Sequence, residues 1–493
     1  MNPTVGSYFS TLGLAELSFM NLLIGLVILL CLACSELHAA EAANDLWNRL
    51  VFVALVTLSV PGLALVQTMI VSRRIRNSEL KFDQHDSMLR RLSVCHSAVW
   101  LIASLAIVWA VRWQDVVRGN WNLDQWPVLD EAIILAPIVL SLVASWAIFY
   151  QIQYAIVGAD KSQSVTCSQR PKLKHKLSQS RSAFVSIRFR VYFLMVLVPV
   201  AMAVLAKDIG PWVGTLPTYL QGAIYVVTLL LMAGGFPFLL TWIWKTGRIQ
   251  NAALKSELLE TCELHKLRVH DVRVWNTDNQ IVNALVAGII PRLRLILLSD
   301  VLIKRFPKRE LLAILRHEAG HLRLWHLPSR IGFAVLPLLA LAIDEHNAHG
   351  VIVMIESTLT EIGLPVWTGI AFLIASYAVY AYYGLSWLSH QMEFEADIYA
   401  CQETPQSLAS AQSRISIEYA CDMSDALLRL AAVNPEQIEK HSLLHPSIGS
   451  RLRMIHAIGL DPQRANAFSR SFQRRRRIVF LILITICVVA FLG

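Results

Sequence analysis

The chain has 493 residues, of which 55% are apolar and only 16% are charged, and its mean hydropathy is +0.50. Soluble domains run at roughly 45–50% apolar even with glycine counted, so this balance excludes an ordinary soluble enzyme and suits a multi-pass membrane protein with room for more than one domain. The formal net charge of +9 does not require a nucleic-acid partner: the basic residues gather in loops beside apolar runs, where the positive-inside rule accounts for them.

A bilayer-spanning helix needs about 20 mostly apolar residues. In chain order, Leu17–Ser35, Trp47–Val71, Ser93–Trp113, Ala132–Val157, Val191–Ala206 and Tyr219–Trp244 meet or approach that length. They form an N-terminal membrane region over 1–246, with a basic Lys/Ser/Gln-rich linker near 158–190. The first run lacks a positive n-region and reads as a retained helix, not a cleaved signal. Ile331–Ile343, only 13 residues long, Pro365–Leu388 and Ile478–Leu492 bring the expected count to nine. Loop charge agrees with that count. The basic loops 72–92 and 158–190 and the run Arg474–Arg477 fall on one side, and acidic loops with Glu36, Glu41 and Asp45, or Asp344, Glu345, Glu356 and Glu361, fall on the other. The N-terminus is then cytoplasmic and the C-terminus outside.

The eight cysteines form no framework. Cys31 and Cys34 have CxxC spacing but lie inside an apolar run, and the rest are scattered, so they read as small buried hydrophobes or free thiols. Trp109, Trp113, Trp121, Trp126, Trp242 and Trp244 read as interfacial belts, and Gly234-Gly235 with Pro237 as a kink or close helix contact.

Two polar blocks remain, Lys245–Arg330 and Ser389–Arg477, both on the cytoplasmic side. Together they suit one domain over 247–471, interrupted by two spans near 330–388 and followed by a C-terminal membrane helix at 478–493. The first block holds Val269–Trp275, Ile281–Ala287 and Leu293–Leu298, rich in Val, Ile and Leu and separated by turn residues, which predicts a sheet. The second reads mainly as helix.

The segment Lys308–Trp325, KRELLAILRHEAGHLRLW, has Leu311, Ile314, Leu315, Leu322 and Trp325 at helical spacing, with Pro307 where a helix would start. Within it stands HEAGH. His317 and His321, four apart, project from one helical face and can share a metal. Glu318 beside the first can reach a metal-bound water as general base. A chance H-E-x-x-H on a surface helix predicts nothing else nearby. A catalytic zinc site needs a third protein ligand and one open position. Ser389–Tyr399 offers Glu393 and Asp397, also on one face. One can bind metal while the other orients a ligand imidazole. Glu395 points elsewhere and reads as structural; a solvated acidic patch is the competing reading, weakened by HEAGH upstream.

These motifs resemble the HtpX and CAAX prenyl endopeptidase type of membrane gluzincin. In that family H-E-x-x-H is followed by membrane spans, then E-x-x-x-D, then an H-P motif with a nearby Arg. Here they stand as His317–His321, Ser389–Asp397, and His445-Pro446 with Arg451. Upstream, Asn283-Ala284 and Gly288 match the family's N-A-x-x-x-G edge strand, and Leu295–Asp300 matches the strand and turn before the catalytic helix. The resemblance covers Arg268 to about Ile458. It implies His317, His321 and Glu393 as ligands of one Zn2+, Glu318 as catalytic base, and Asp397 as support behind a ligand. It also implies His445 and Arg451 lining the substrate cleft, and Asn283, Ala284 and Gly288 in the strand that binds extended substrate. His390 stands where the family usually has Arg, and the six N-terminal spans exceed those of bacterial HtpX-type members.

The predicted molecule is thus a multi-pass α-helical membrane protein of about nine spans with a cytoplasm-facing α+β zincin-type metallopeptidase domain. Its predicted function is zinc-dependent hydrolysis of peptide bonds in membrane or membrane-associated proteins, with Glu318 activating a zinc-bound water. The expected partners are a polypeptide substrate and the lipid bilayer, with no nucleic acid, and the expected setting is a bacterial inner membrane. The alternative is a non-proteolytic or sensor-type metalloprotein of the antibiotic-sensing metallopeptidase class. Glu318, which a structural zinc does not need, and the H-P motif weigh against it. His445 reads either as an oxyanion donor with Arg451 one turn into the next helix, or as a helix cap or carboxylate partner. His326, His346, His349 and His441, and similarly His265 and His270, are candidate extra ligands, but lone loop histidines are usually solvated.

Overall fold

The computed structural model describes residues 23–25, 27–28, 31–32, 35, 41–76, 82–126, 128–163, 180–278, 281–288, 290–342, 357–358, 361, 367–403, 414–433 and 438–492. The chain divides into two compact units: Phe19–Met232 with Trp242–Trp244, and Ala233–Thr241 with Lys245–Gly493.

Every regular element described in the N-terminal unit is a helix. Its described elements are α1 (Leu46–Arg76), α2 (Phe82–Leu105), α3 (Leu129–Gln163), α4 (Arg181–Arg188), α5 (Met195–Gly214) and most of α6 (Thr218–Ile243). Among the described residues, three helices are long and apolar enough to cross a membrane: Leu46–Arg74, Arg91–Ala110 and Leu129–Ile152. Protein buries only 28–39% of their apolar windows. Apolar side chains such as Phe52, Leu55 and Leu58 stay more than half exposed, and a helix that is apolar on its uncovered faces requires lipid around it. Inside the bundle, the Trp100 indole donates to the Ile138 carbonyl at 3.0 Å, so its polar edge is satisfied without water. Of the expected first span, the described residues from 23 to 35 are helical; Leu17 and Cys34 lie outside them.

At one end of this bundle the chain turns through two π-helical segments, Ala106–Ala110 and Asp115–Asn120. Between them Arg112 has φ 55°. Arg118 donates to Ser35 O at 3.1 Å, and Asn120 exchanges two hydrogen bonds with the Ala43 backbone. Arg49 bonds the buried Asp115 at 2.8 Å, and Arg118 bonds Asp130 at 2.6 Å. A Cβ on Gly119 would stand 2.6 Å from the Glu41 carbonyl, so only glycine allows this approach. The linker read over 158–190 is helical at both ends, in α3 and α4. Ser180 caps α4 by accepting from Ala183 N, and Phe184 is buried. Residues 164–179 lie outside the described residues.

The C-terminal unit contains one four-stranded sheet: β1 (Thr246–Arg248), β2 (Asp271–Trp275), β3 (Ala284–Ala287) and β4 (Leu295–Ser299), in the order β1-β2-β4-β3. β2 and β4 are parallel, and β1 and β3 flank them antiparallel. β1 has three residues and no apolar alternation, which is why its sequence carries no strand signal. All five residues of β4, LILLS, are buried, the continuous apolar run of a strand covered on both faces. The sheet packs through Val272, Ile296 and Leu298 against Leu258 and Cys262 of α7 (Ala252–Leu264) and Leu311 and Leu315 of α9 (Lys308–Arg323). A short helix α8 (Asp300–Arg305), capped by the Ser299 hydroxyl, joins β4 to α9.

Beyond α9 come α10 (His326–Ala342), α11 (Trp367–Ala400), α12 (Ile417–Val433), α13 (Ile448–Leu460) and α14 (Gln463–Leu492). α10 has 17 residues and starts five residues before the apolar run that marks it in the sequence. α11 continues the expected span at 365–388 without a break into the Glu393 segment. α14 likewise runs unbroken from the polar domain through 471–478 into the apolar C-terminal stretch. α10 and α11 lie close. The hydroxyls of Tyr377 and Tyr380 donate to Ala334 O and Phe333 O, both at 2.8 Å, and Phe333 stacks on Tyr380 beside Gly384.

Candidate metal centre

Helix α9 puts His317 and His321 one turn apart, and their Nε2 atoms converge to 3.1 Å. Glu393 reaches them from α11: Oε2 is 3.5 Å from His317 Nε2, and Oε1 is 3.3 Å from His321 Nε2. Ligand atoms of these three residues lie within 4.8 Å of one another. Two nitrogens each about 2.0–2.1 Å from a tetrahedral zinc stand about 3.3–3.4 Å apart, so the spacing fits one ion. Glu393 is buried, and its Oε2, though 3.0 Å from His445 Nδ1, makes no hydrogen bond of good geometry. A buried carboxylate oxygen without a well-aligned hydrogen bond has room in its coordination for a cation. Two imidazoles and one carboxylate form the donor set of a catalytic zinc with a fourth position open.

The approach of α9 to α11 depends on the fourth residue of HEAGH. A Cβ on Gly320 would stand 3.1 Å from Ala396 Cα and 3.1 Å from Tyr399 Cβ, tighter than an ordinary contact. Glycine lets the two backbones come close enough for Glu393 to meet both imidazoles.

Behind each imidazole stands a second partner. His317 Nδ1 is 2.9 Å from Asp397 Oδ1. Arg451 of α13 grips Asp397 with two bonds, Nε to Oδ2 at 2.8 Å and Nη2 to Oδ1 at 2.6 Å. Arg451 is buried, and its Nη1 lies 3.5 Å from Glu393 Oε2. Its guanidinium is therefore committed to Asp397, and the H-P segment also brings His445 against Glu393. His445 Nδ1 is 3.0 Å from Glu393 Oε2, with its side chain 31% exposed. The turn carrying His445 is pinned by Ser442, whose carbonyl accepts from His390 Nε2 at 2.7 Å, while the His390 ring stacks on His441. The histidine at the family's usual Arg position thus holds the H-P segment.

The second imidazole has a partner that sequence reasoning missed. His321 Nδ1 is 2.8 Å from His326 Nδ1, and His326 Nε2 is 3.1 Å from Glu395 Oε2. His326 is fully buried, not a solvated loop histidine. Five residues along an unbroken helix would turn it about 140° from His321. The helix breaks at Leu324–Trp325, where Trp325 has φ 59°, and the break swings His326 back. No spacing rule could have found it. Arg330, near the start of α10, places Nη2 3.4 Å from Glu393 Oε1. His265 is also buried, 3.1 Å from the Tyr399 hydroxyl. His346 and His349 lie outside the described residues.

The electrostatics follow from these partners. Burial opposes protonation of His317, but the Asp397 and Glu393 carboxylates outweigh it and raise the ring to about 9. Burial takes His321 down to about 4. Burial would raise Glu393, but His445, His321 and His317 hold it well below the usual carboxylate range. Asp397 is likewise held low against burial by Arg451. Glu318, next to the first ligand on α9, is pushed up to about 7, chiefly by burial, with Glu393 adding to it.

Ala284 opens β3, which pairs with β4 on one side and forms the outer edge of the sheet. Asn283 is tied to that sheet by its backbone, accepting from Ser299 N at 2.9 Å and donating to the Ser299 hydroxyl. Gly288 has φ 111°, and a Cβ there would stand 2.8 Å from Pro237 Cγ, so glycine is required.

A sequence model of Peptidase family M48 matches residues 248–459, the stretch that supplies the three converging donors, Glu318, Asp397, His445 and Arg451. Over that stretch the chain is similar to peptidase family M48. It is also similar to the Probable CAAX prenyl protease 1 of Schizosaccharomyces pombe, 26% identical over 279 residues, which are 52% of this chain and 54% of that protein. The chain thus matches about half the length of that relative. The crystal structure of S. mikatae Ste24p aligns with 82% of this chain and 98% of its own, at 14% identity and a TM-score of 0.40, too loosely to carry an argument about fold or chemistry. Gln473, which bonds Glu395 at 3.1 Å, lies beyond the matched segment.

Proposed function

We propose that the chain is a membrane-embedded zinc endopeptidase that hydrolyses peptide bonds of membrane or membrane-associated polypeptides. The observation that carries this reading is the convergence of His317 Nε2, His321 Nε2 and the Glu393 carboxylate within 4.8 Å, with Glu318 next to the first ligand. Zinc bound there supplies a Lewis acid that polarises the scissile carbonyl and makes a water nucleophilic near neutral pH. The protein's residues do the rest. The free edge of β3, from Asn283 to Gly288, offers main-chain hydrogen bonds to an extended substrate. The Glu318 carboxylate takes a proton from the attacking water as its oxygen bonds the carbonyl carbon. It returns that proton to the amide nitrogen as the C–N bond breaks. His445, at the exposed rim, donates to the oxygen on which negative charge develops. Asp397, held by Arg451, keeps the His317 proton on Nδ1 and its Nε2 lone pair toward the ligand point.

The test uses purified protein in detergent: one zinc per chain, lost on chelation together with cleavage of an unfolded polypeptide. Wild-type protein that binds no zinc, or cleaves equally well without it, overturns the reading.

We further propose nine crossings, with the M48 domain on the cytoplasmic face of a bacterial inner membrane. Support comes from the loop charges and from the end of the N-terminal bundle, where segments following the first and third expected spans are hydrogen-bonded together through Ser35, Ala43, Arg118 and Asn120. A cysteine at the exposed Asn122 labelled only from the outer side of intact cells supports this orientation; labelling only from the cytoplasmic side refutes it. The positive charge belongs to this topology, with no nucleic acid as partner.

A further inference from the structure

Three groups at the heart of the C-terminal unit have no part in the chemistry above, although two of them are buried completely. His326 and Glu395 are both 0% exposed. Gln473 of α14 donates from Nε2 to Glu395 Oε1 at 3.1 Å. Together with His321 they form one hydrogen-bonded line: His321 Nδ1 to His326 Nδ1 at 2.8 Å, then His326 Nε2 to Glu395 Oε2 at 3.1 Å.

One placement of protons satisfies every contact in this line while leaving His321 able to bind a metal. A ligand nitrogen needs a bare lone pair, so the His321 proton sits on Nδ1 and is donated to His326 Nδ1. His326, accepting there, carries its own proton on Nε2 and donates it to the Glu395 carboxylate. Gln473 then fills the other carboxylate oxygen. We infer that His326 and Glu395, braced by Gln473 from the C-terminal helix, are positioning residues that set the tautomer and the aim of the metal ligand His321. This rests on the zinc-peptidase reading of the same site.

The other ligand provides the comparison. His317 donates directly to Asp397, and Asp397 is braced by Arg451. Among the described residues no carboxylate pairs with His321 Nδ1, and His326 bridges from it to Glu395. Both imidazoles therefore rest on a braced carboxylate, one directly and one through an interposed ring. The brace on Glu395, Gln473, comes from outside the matched M48 segment, whereas Arg451 lies within it. Helix α14 also bonds α9 at its end, with Arg476 Nη1 donating to Leu324 O at 3.0 Å. It packs its apolar part along α10, where Cys487 Sγ donates to Leu336 O and Phe480 lies against Gly332. The C-terminal helix thus reaches the metal centre by hydrogen bonds as well as anchoring the chain.

Loss of such an outer partner typically weakens metal binding about 10–100-fold. The experiment uses full-length protein in detergent. It measures the zinc Kd by competition with a chromophoric chelator, the visible absorption of the Co2+-loaded protein, and the Tm of the metal-free protein. His326→Phe is expected to weaken zinc by about 10–100-fold and to shift the Co2+ bands. Glu395→Gln and Gln473→Leu are expected to move both readouts in the same direction by less. His326→Asn, which returns an acceptor to His321 Nδ1, recovers part of the loss. Should His326→Phe not fold, Glu395→Gln and Gln473→Leu, further from the ion, decide the matter. Wild-type Kd and an unchanged Co2+ spectrum in the folded variants, with or without a lowered Tm, overturn the inference. Wild-type protein that binds no zinc overturns instead the reading beneath it.

Discussion

The contact at Gly320 links helix packing to metal binding, and Gly320→Ala tests that link. The added Cβ would stand 3.1 Å from Ala396 Cα, 3.1 Å from Tyr399 Cβ and 3.2 Å from Tyr399 Cδ1. Carbon atoms settle at about 3.5–4.0 Å, and one of these neighbours is backbone, so α11 must retreat by a few tenths of an ångström. Overpacking of this kind costs about 1–3 kcal/mol. Alanine regains about 1 kcal/mol over glycine inside a helix, which leaves a net loss of about 0–2 kcal/mol in the metal-free protein. The effect on the ion is larger. Glu393 lies three residues before Ala396 on α11, and a site of this kind tolerates displacement of only about 0.5 Å. Drawing the helices back onto a metal recovers none of the helix-propensity gain, so the full 1–3 kcal/mol falls on the zinc Kd as a weakening of about five- to 150-fold. Chelator competition on detergent-solubilised protein measures it. Gly459→Ala is the control: it lies near the end of α13 with nothing within 4 Å of its added Cβ. It should leave zinc binding unchanged and stabilise by about 0.5–1 kcal/mol. A Gly320→Ala protein with wild-type zinc affinity refutes the view that this glycine sets the distance between the ligand helices.

Glu318→Gln should keep one zinc by elemental analysis and lose about 10²–10⁴ in kcat; full activity in that variant eliminates Glu318 as the base. His445→Ala should lower kcat by about 10²–10³ with zinc content and Tm near wild type. A lowered Tm with intact turnover per folded molecule would instead assign His445 to the structure of its turn. Arg451→Met strands the buried Asp397 carboxylate and should cost about 3–5 kcal/mol. Adding Asp397→Asn removes the stranded charge and should restore much of that loss in thermal melts. A single variant that melts like wild type contradicts the importance of the pair.

Local rules carried much of the site. An H-E-x-x-H run on an amphipathic helix places two imidazoles on one face because helix geometry is set by bonds four residues apart. The same spacing puts Glu393 and Asp397 on one face of α11. The continuous apolar run of β4 likewise announces a strand covered on both sides. Spacing could not say which carboxylate meets the metal. That depends on where α11 crosses α9, and Gly320 sets the crossing so that Glu393 faces the Nε2 atoms and Asp397 the Nδ1 of His317. The same limit hid three other side chains. Arg330 has the pattern of an interfacial residue, but the start of α10 turns it toward Glu393. Arg451 lies 54 residues beyond Asp397, and the packing of α13 on α11 alone brings them together. His326 has the wrong spacing for a partner of His321 on any continuous helix, and becomes one only because the chain breaks at Trp325 and starts a new helix in a new direction. Sequence periodicity reports which face of one element a residue occupies. Which faces then meet is decided by close packing between elements, where a missing Cβ or a single left-handed residue changes the answer.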